Sequence, residues 1–163
     1  MVYNPGTHPV HRQARKLQMW FADGYSALLV KTVAGLRRFG GTESWRIACA
    51  VLLRDLAARP DAWPFLEAVD VVALEIPDYK HVVTSPMDLG TIGAAFERME
   101  YASAEQVTAH VHLVFDNAIL YNPRGHPIHM QAAGLKRVVN ELWREQLRQF
   151  ALARCEVSSE RQR

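Results

Sequence analysis

Cysteine is scarce. The 163-residue chain has only Cys49 and Cys155, far apart and with no CxxC pair. That excludes a disulfide scaffold and a zinc knuckle, and it fits a reducing compartment. Long hydrophobic runs are also missing, since no apolar stretch approaches the roughly 18–20 residues that span a bilayer. The N-terminal residues lack the charged-then-apolar pattern of a signal peptide. No segment alternates apolar and polar residues as a half-buried strand does. The catalytic signatures G-x-S-x-G, H-E-x-x-H, the P-loop and the dinucleotide fingerprint are all absent. His126 and His129 have a spacing that can put two ligands on one helix face, whereas His110 and His112 face apart. No further carboxylate or histidine completes a metal set at a matching spacing. Neither a catalytic residue, a metal site nor a cofactor is expected.

Charge is present but unevenly spread. The net value is +2, yet residues 1–60 carry +6 and residues 61–90 carry −5. Residues 91–120 carry −3 and residues 121–163 carry +4. An acidic middle favours a basic partner such as a Lys/Arg-rich peptide tail. A solvated acidic loop without a partner would have the same composition. The basic ends could touch phosphates nonspecifically, and a steep salt dependence would reveal it.

The acidic part coincides with the most unusual stretch, Trp63 to Leu89. It is apolar, but Pro64, Pro77 and Pro86 interrupt it, and proline lacks the N–H needed inside a helix or a central strand. Long loops in compact domains are usually functional, so this one is read as one wall of a binding pocket. Around it the apolar spacing predicts four helices. The first covers about 43–58, capped by Thr42 or Ser44, with Trp45, Ala48, Leu52 and Leu56 inward. Asp88 caps a second over about 88–99, with Leu89, Ile92, Phe96 and Met99 inward. Ser103 and Gln106 have the form of a capping box. They open a third helix over about 104–120, with Val107, Val111, Val114, Phe115 and Ala118 inward. Asn122 before Pro123 breaks that helix. Pro127 suits the first turn of a fourth over about 127–150, with Ile128, Ala132, Leu135, Val139 and Leu142 inward. The expectation is an all-α bundle with one very long connection.

Several blocks in this frame resemble a known family. Trp63-Pro64-Phe65, Val69-Asp70, Ile76-Pro77-Asp78-Tyr79, Pro86-Met87-Asp88-Leu89-Gly90-Thr91-Ile92 and Tyr121-Asn122-Pro123 look like a bromodomain. The resemblance covers about residues 42–150. It implies a left-handed four-helix bundle (Z, A, B, C) and an acetyl-lysine pocket. The pocket would lie between the ZA loop, here about 60–87, and the BC loop, here about 121–127. It implies Asn122 as the residue that anchors the acetyl carbonyl, and Tyr79 as the one that reaches it through water. Trp63, Pro64 and Phe65 match the shelf under the lysine stem. Val69, Leu74 and Ile76 match the slot lining, Tyr121 the wall beside the anchor, and Ile128 the gatekeeper at the entrance. The implied role is a nuclear, non-enzymatic reader of acetylated histone tails, working with other chromatin-complex proteins and with neither a membrane nor a specific nucleic acid. A helical interaction module with little acetyl-lysine binding is the alternative. Ala118 and Ile119 depart from the Cys and Tyr common in the family. Lys80 and His81, with Arg124, His126 and His129, place extra positive charge near the site.

The chain also repeats itself. Residues 3–17 align without gaps on 121–135, with nine of fifteen positions identical. The expectation is that residues 1–41 are a helical extension, the BC loop and helix C of a preceding bromodomain plus a linker. The bromodomain proper would occupy 42–150, followed by a polar, frayed tail over 151–163. The orphan helix would pack on the domain, dimerise or stay disordered.

Overall fold

The computed structural model describes residues 44–160, and side chains from 45 to 145. The expected N-terminal extension, its repeat and the cap at Thr42 lie outside the described residues. Within them there are five α-helices and one 3-10 helix, and no strand. Helix α1 covers Ser44–Ala57 and is followed by the 3-10 helix Pro60–Phe65. Next come the single turn α2 (Tyr79–Val82), α3 (Leu89–Glu97), α4 (Ala104–Tyr121) and α5 (Pro127–Glu160). The long helices α1, α3, α4 and α5 make the four-helix bundle. The connection between α1 and α3 carries the two short elements.

The apolar spacing explains the packing. Ala48, Leu52 and Leu56 of α1, Leu89, Ile92 and Phe96 of α3, and Val107, Val111 and Phe115 of α4 are buried in one cluster with Ala132, Leu135 and Val139 of α5. Burying each large side chain contributes about 1.5–3 kcal/mol. The 3-10 helix packs on α1 and α5, and α2 packs on α4. These short elements fasten the loop to α1, α4 and α5.

Local chemistry sets most helix ends. Arg59 closes a two-pronged ion pair with Asp61 at 3.0 Å on each prong, around Pro60 at the first position of the 3-10 helix. Asp88 caps α3, and both its oxygens are used. Oδ1 accepts from the Thr91 N–H at 2.8 Å and Oδ2 from the Thr91 hydroxyl at 2.7 Å.

Three expectations are corrected. Met99 does not face inward but is 57% exposed. Helix α3 stops at Glu97, and Met99 adopts φ 61°. The bonds Met99 N–H to Phe96 O and Glu100 N–H to Ala95 O close the helix in a Schellman motif, which takes a left-handed residue at that position. The capping box before α4 is not made as written. The Gln106 side chain accepts from the Ala102 N–H, one residue early, at 2.9 Å. The Ser103 hydroxyl bonds Glu105 instead, which holds that carboxylate below its usual range together with the backbone N–H of Glu105. Helix α5 runs to Glu160, past the expected end near 150. No Gly or Pro follows Gly134 to interrupt it.

The tightest backbone approach is at Gly90. Its N–H donates to the Leu66 carbonyl at 3.0 Å, and a Cβ placed on Gly90 would lie 2.6 Å from that oxygen. Gly90→Ala therefore forces loop and helix apart, at a cost of about 1–3 kcal/mol. Urea denaturation is expected to show this as a lower midpoint. A second test uses Cys49, buried in α1. Burial, reinforced by the charge of Glu105 and opposed by that of Arg46, pushes its thiol up to about 12 from 9.0. The unfolded chain thus releases this proton first. The contribution to stability is whole below pH 9 and is lost as pH climbs towards 12. A pH series of denaturation midpoints checks this, with Cys49→Ala expected to flatten the alkaline decline.

Candidate functional site

The first wall of the expected site is the connection from α1 to α3. Phe65, at the end of the 3-10 helix, is buried edge-on against Phe115 of α4, with ring centres 5.3 Å apart at 77°. Trp63 is half-buried against the same core, and Pro64 is half-buried beside it. Because the 3-10 helix also packs on α5, the shelf residues are placed by both α4 and α5.

Beyond Leu66 the loop builds a turn of its own. Asp70 Oδ1 accepts from the N–H groups of Val72 and Ala73 at 3.1 and 3.0 Å. At the far end, Ile76 N–H bonds Val71 O and Glu75 N–H bonds Val72 O, with Glu75 at φ 55°. This is a second Schellman closure on a non-glycine residue. The turn projects Val72 (82% exposed) and Leu74 (61%) outward, with Val69 at 37%. Ile76 is half-buried. Of the three residues expected to line a slot, only Ile76 is substantially covered.

The second wall is the end of α4. Tyr79 is buried, and its ring meets that of Tyr121 edge-on at 5.0 Å and 70°. The Tyr121 hydroxyl donates to Asp78 Oδ1 at 2.9 Å. Burial pushes the Tyr79 phenol up. Burial, then the bond and charge of Asp78, do the same for Tyr121. Both rings therefore hold their protons at neutral pH. One turn earlier, the buried Asn117 donates its amide to the Ser85 carbonyl at 2.8 Å. This pins the loop just before Pro86 to the inner face of α4.

Asn122 is the C-cap of α4, with extended backbone at φ −92° and ψ 134°. Its backbone N–H and its side-chain Nδ2 both donate to the Ala118 carbonyl, at 3.1 and 2.9 Å. The chain then turns through Gly125 at φ 88°, a left-handed value suited to glycine. Pro127 opens α5, where His126 Nδ1 accepts from the Ile128 N–H at 3.3 Å. Ile128 is half-buried against the core. From the next position the His129 ring reaches back to the Asn122 carbonyl, with Nδ1 2.9 Å from the oxygen.

Tyr79 and Tyr121 thus meet in space, and Asn122 follows Tyr121 directly in the sequence. Phe65 is tied to α4 through Phe115, Trp63 packs on the same core, and Ile128 packs on it from the second position of α5. Val69 and Leu74 lie on the outer turn. A separate shallow depression of about 500 Å³ is lined by Leu66, Glu67, Ala68, Asp88, Gly90, Thr91 and Ala94. None of these is an expected site residue, and the Asp88 oxygens there are occupied by Thr91. Among the described residues there is no group of three His, Cys, Asp or Glu that could hold a metal, and no helix is long and apolar enough to cross a membrane.

Sequence reasoning missed three supports. Asn117 carried a signal: it is a polar residue three positions after Val114 on an otherwise apolar stripe. Asp78 reads from the sequence only as part of the acidic loop and of the Ile76-Pro77-Asp78-Tyr79 block, and His129 only as a charge and by its metal spacing.

Comparison with known proteins places this architecture. The family model described as Bromodomain matches residues 49–134, and the chain belongs to the bromodomain family. It is 42% identical over 96 residues to transcription factor GTE10 of Arabidopsis thaliana, covering 59% of this chain and 9% of that protein. It is 38% identical over 98 residues to the SWR1 complex bromodomain subunit bdf1 of Schizosaccharomyces pombe, covering 58% of this chain and 17% of that protein. Among solved structures it resembles the second bromodomain of Candida albicans Bdf1, bound there to an imidazopyridine. That match has a TM-score of 0.59 and 37% identity, covering 63% of this chain and 99% of that one. The chain spans well under two thirds of the curated relatives' own lengths.

The buried Asn117 bond gives a direct test of how the loop is held. Asn117→Ala leaves the Ser85 carbonyl without its donor and is expected to cost about 1–3 kcal/mol. Denaturation reads the loss, and hydrogen exchange is expected to speed up at Thr84, Ser85 and Met87.

Proposed function

We propose that this domain is a non-enzymatic reader of acetylated lysine, with acetylated histone tail peptides as its ligands. The observation that carries the reading is the state of Asn122. Its amide carries two hydrogens, and one is committed to the Ala118 carbonyl. That bond fixes the carboxamide while its second N–H is available to an acyl oxygen. The preceding residue, Tyr121, sets its ring edge-on against that of Tyr79. Trp63, Pro64, Phe65, Ile76 and Ile128 supply apolar surface for a lysine stem, and Val69 and Leu74 extend that surface outward.

Acetylation is what such a site can select. It turns an ammonium into a neutral amide on an apolar stem. A free ammonium entering an apolar slot gives up its water without an anion to replace it. Around the mouth, Asp70, Glu75 and Asp78 are exposed on the loop and favour the remaining positive charges of a tail. Arg124, exposed on the opposite loop, opposes a cation on its side. Relatives described as transcription factors and as a chromatin-complex subunit support a nuclear role in chromatin or transcription regulation, with other chromatin-complex proteins as partners.

A second reading has one observation in its favour. The Asn122 side chain already caps its own helix, so it could be a purely structural loop residue in an interaction module of bromodomain fold. Isothermal calorimetry separates the two, using acetylated and unmodified histone-tail peptides. The reader is expected to bind only acetylated peptides, and Asn122→Ala to weaken this by about tenfold or more, the scale of a lost hydrogen bond in an apolar site. A folded protein indifferent to acetylation would favour the interaction module.

A further inference from the structure

We infer that His129 is a positioning residue for the ligand anchor, acting through the backbone carbonyl of Asn122. The inference rests on the reader function proposed above. Asn122 ends α4, so its carbonyl has left the helical ladder, and the following residue, Pro123, has no N–H to offer a neighbour. The carbonyl still requires a donor. His129 supplies it from the third position of α5, seven residues on, with Nδ1 at 2.9 Å.

A carbonyl oxygen only accepts, so Nδ1 of His129 must carry the proton. The bond thereby selects one ring tautomer. It also acts on one torsion. The Asn122 carbonyl turns with ψ of that residue, held at 134°. Holding the oxygen against α5 fixes the peptide plane from which the Asn122 side chain projects. The anchor is then gripped from two sides. Ala118 of α4 takes its backbone N–H and its Nδ2, and His129 of α5 takes its carbonyl. His126 does different work one turn earlier: its Nδ1 accepts from the Ile128 N–H at the mouth of α5. The two histidines thus require opposite protonation at Nδ1, which also argues against their sharing a metal through those atoms.

The geometry makes a demand that general packing would not. What matters at position 129 is a donor at the place of Nδ1, and Asn can offer one there while Leu cannot. The experiment compares wild type, His129→Asn and His129→Leu for calorimetric affinity to an acetylated histone H4 tail peptide, with denaturation midpoints measured alongside. His129→Leu is expected to bind about fivefold to tenfold more weakly, with His129→Asn within about twofold of wild type. Equal affinity in all three would overturn the role, and so would equal weakening in both variants. Should His129→Leu fail to fold, ring nitrogen NMR on the wild-type protein decides. A proton on Nδ1 of His129 supports the tie, and its absence removes it. A folded wild type that binds no acetylated peptide in a histone-tail array would take down the reader function together with this role, whereas acetyl-dependent binding indifferent to His129→Leu takes down the role alone.

Discussion

The carbonyl of Leu66 receives the N–H of Gly90, and the rest of the molecule depends on that contact. Between those two residues the chain has no regular ladder beyond a single helical turn, yet its backbone groups must still find partners. Leu66 follows directly on the Trp63-Pro64-Phe65 shelf, and Gly90 is the second residue of the helix that Asp88 caps. One hydrogen bond therefore closes the loop at its base, and only glycine lets the two backbones come so near. With the base closed, the interior of the loop needs two more fastenings. Asn117 takes Ser85, and Asp78 takes Tyr121. Each runs to α4, so the loop and the Asn122 cap share one reference frame.

That dependence explains which parts of the protein were legible beforehand. Helices α1, α3 and α4 could be read within a residue or two because their apolar residues recur at helical spacing and Asp88 announces a start. The shelf and the Asn122-Pro123 break stood out as blocks in the expected order. What escaped was set by contacts across sequence. Nothing local says that Met99, with a side chain suited to a core, will instead take a left-handed conformation and end α3. Gln106 serves Ala102 because the entering chain brings that N–H closer than the one the motif specifies. Leu74 reads as pocket lining by its neighbours, and its exposure follows from the turn that Asp70 and Glu75 close. His129 reaches Asn122 only because Gly125 reverses the chain between them, a geometry that spacing alone does not contain.

The electrostatics follow the same division between scaffold and rim. The buried acidic residue Asp88 is consumed in capping, and Asp61 is paired with Arg59. The exposed acids of the loop carry no comparable duty apart from Asp70, whose side chain organises its own turn, and Asp78, which holds Tyr121. Glu75 is held in place by its backbone, leaving its carboxylate to shape the field at the mouth. Opposite it, Arg124 sits two residues past the proposed anchor. A tail lying between the loops would meet acid on one side and base on the other, so the order of charges along the tail bears on how it lies.

The turn from Asp70 to Ile76 has a further consequence. It is closed at its front by an aspartate bonding its own backbone and at its back by a Schellman pair, so its shape is specified internally. Its most projecting side chains, Val72 and Leu74, contribute little to the core. Shape and surface are therefore decoupled there, and the segment behaves as an exchangeable module. Changes on its outer face leave the bundle undisturbed, so what this face presents to solvent is separable from the Asn122 cap behind it.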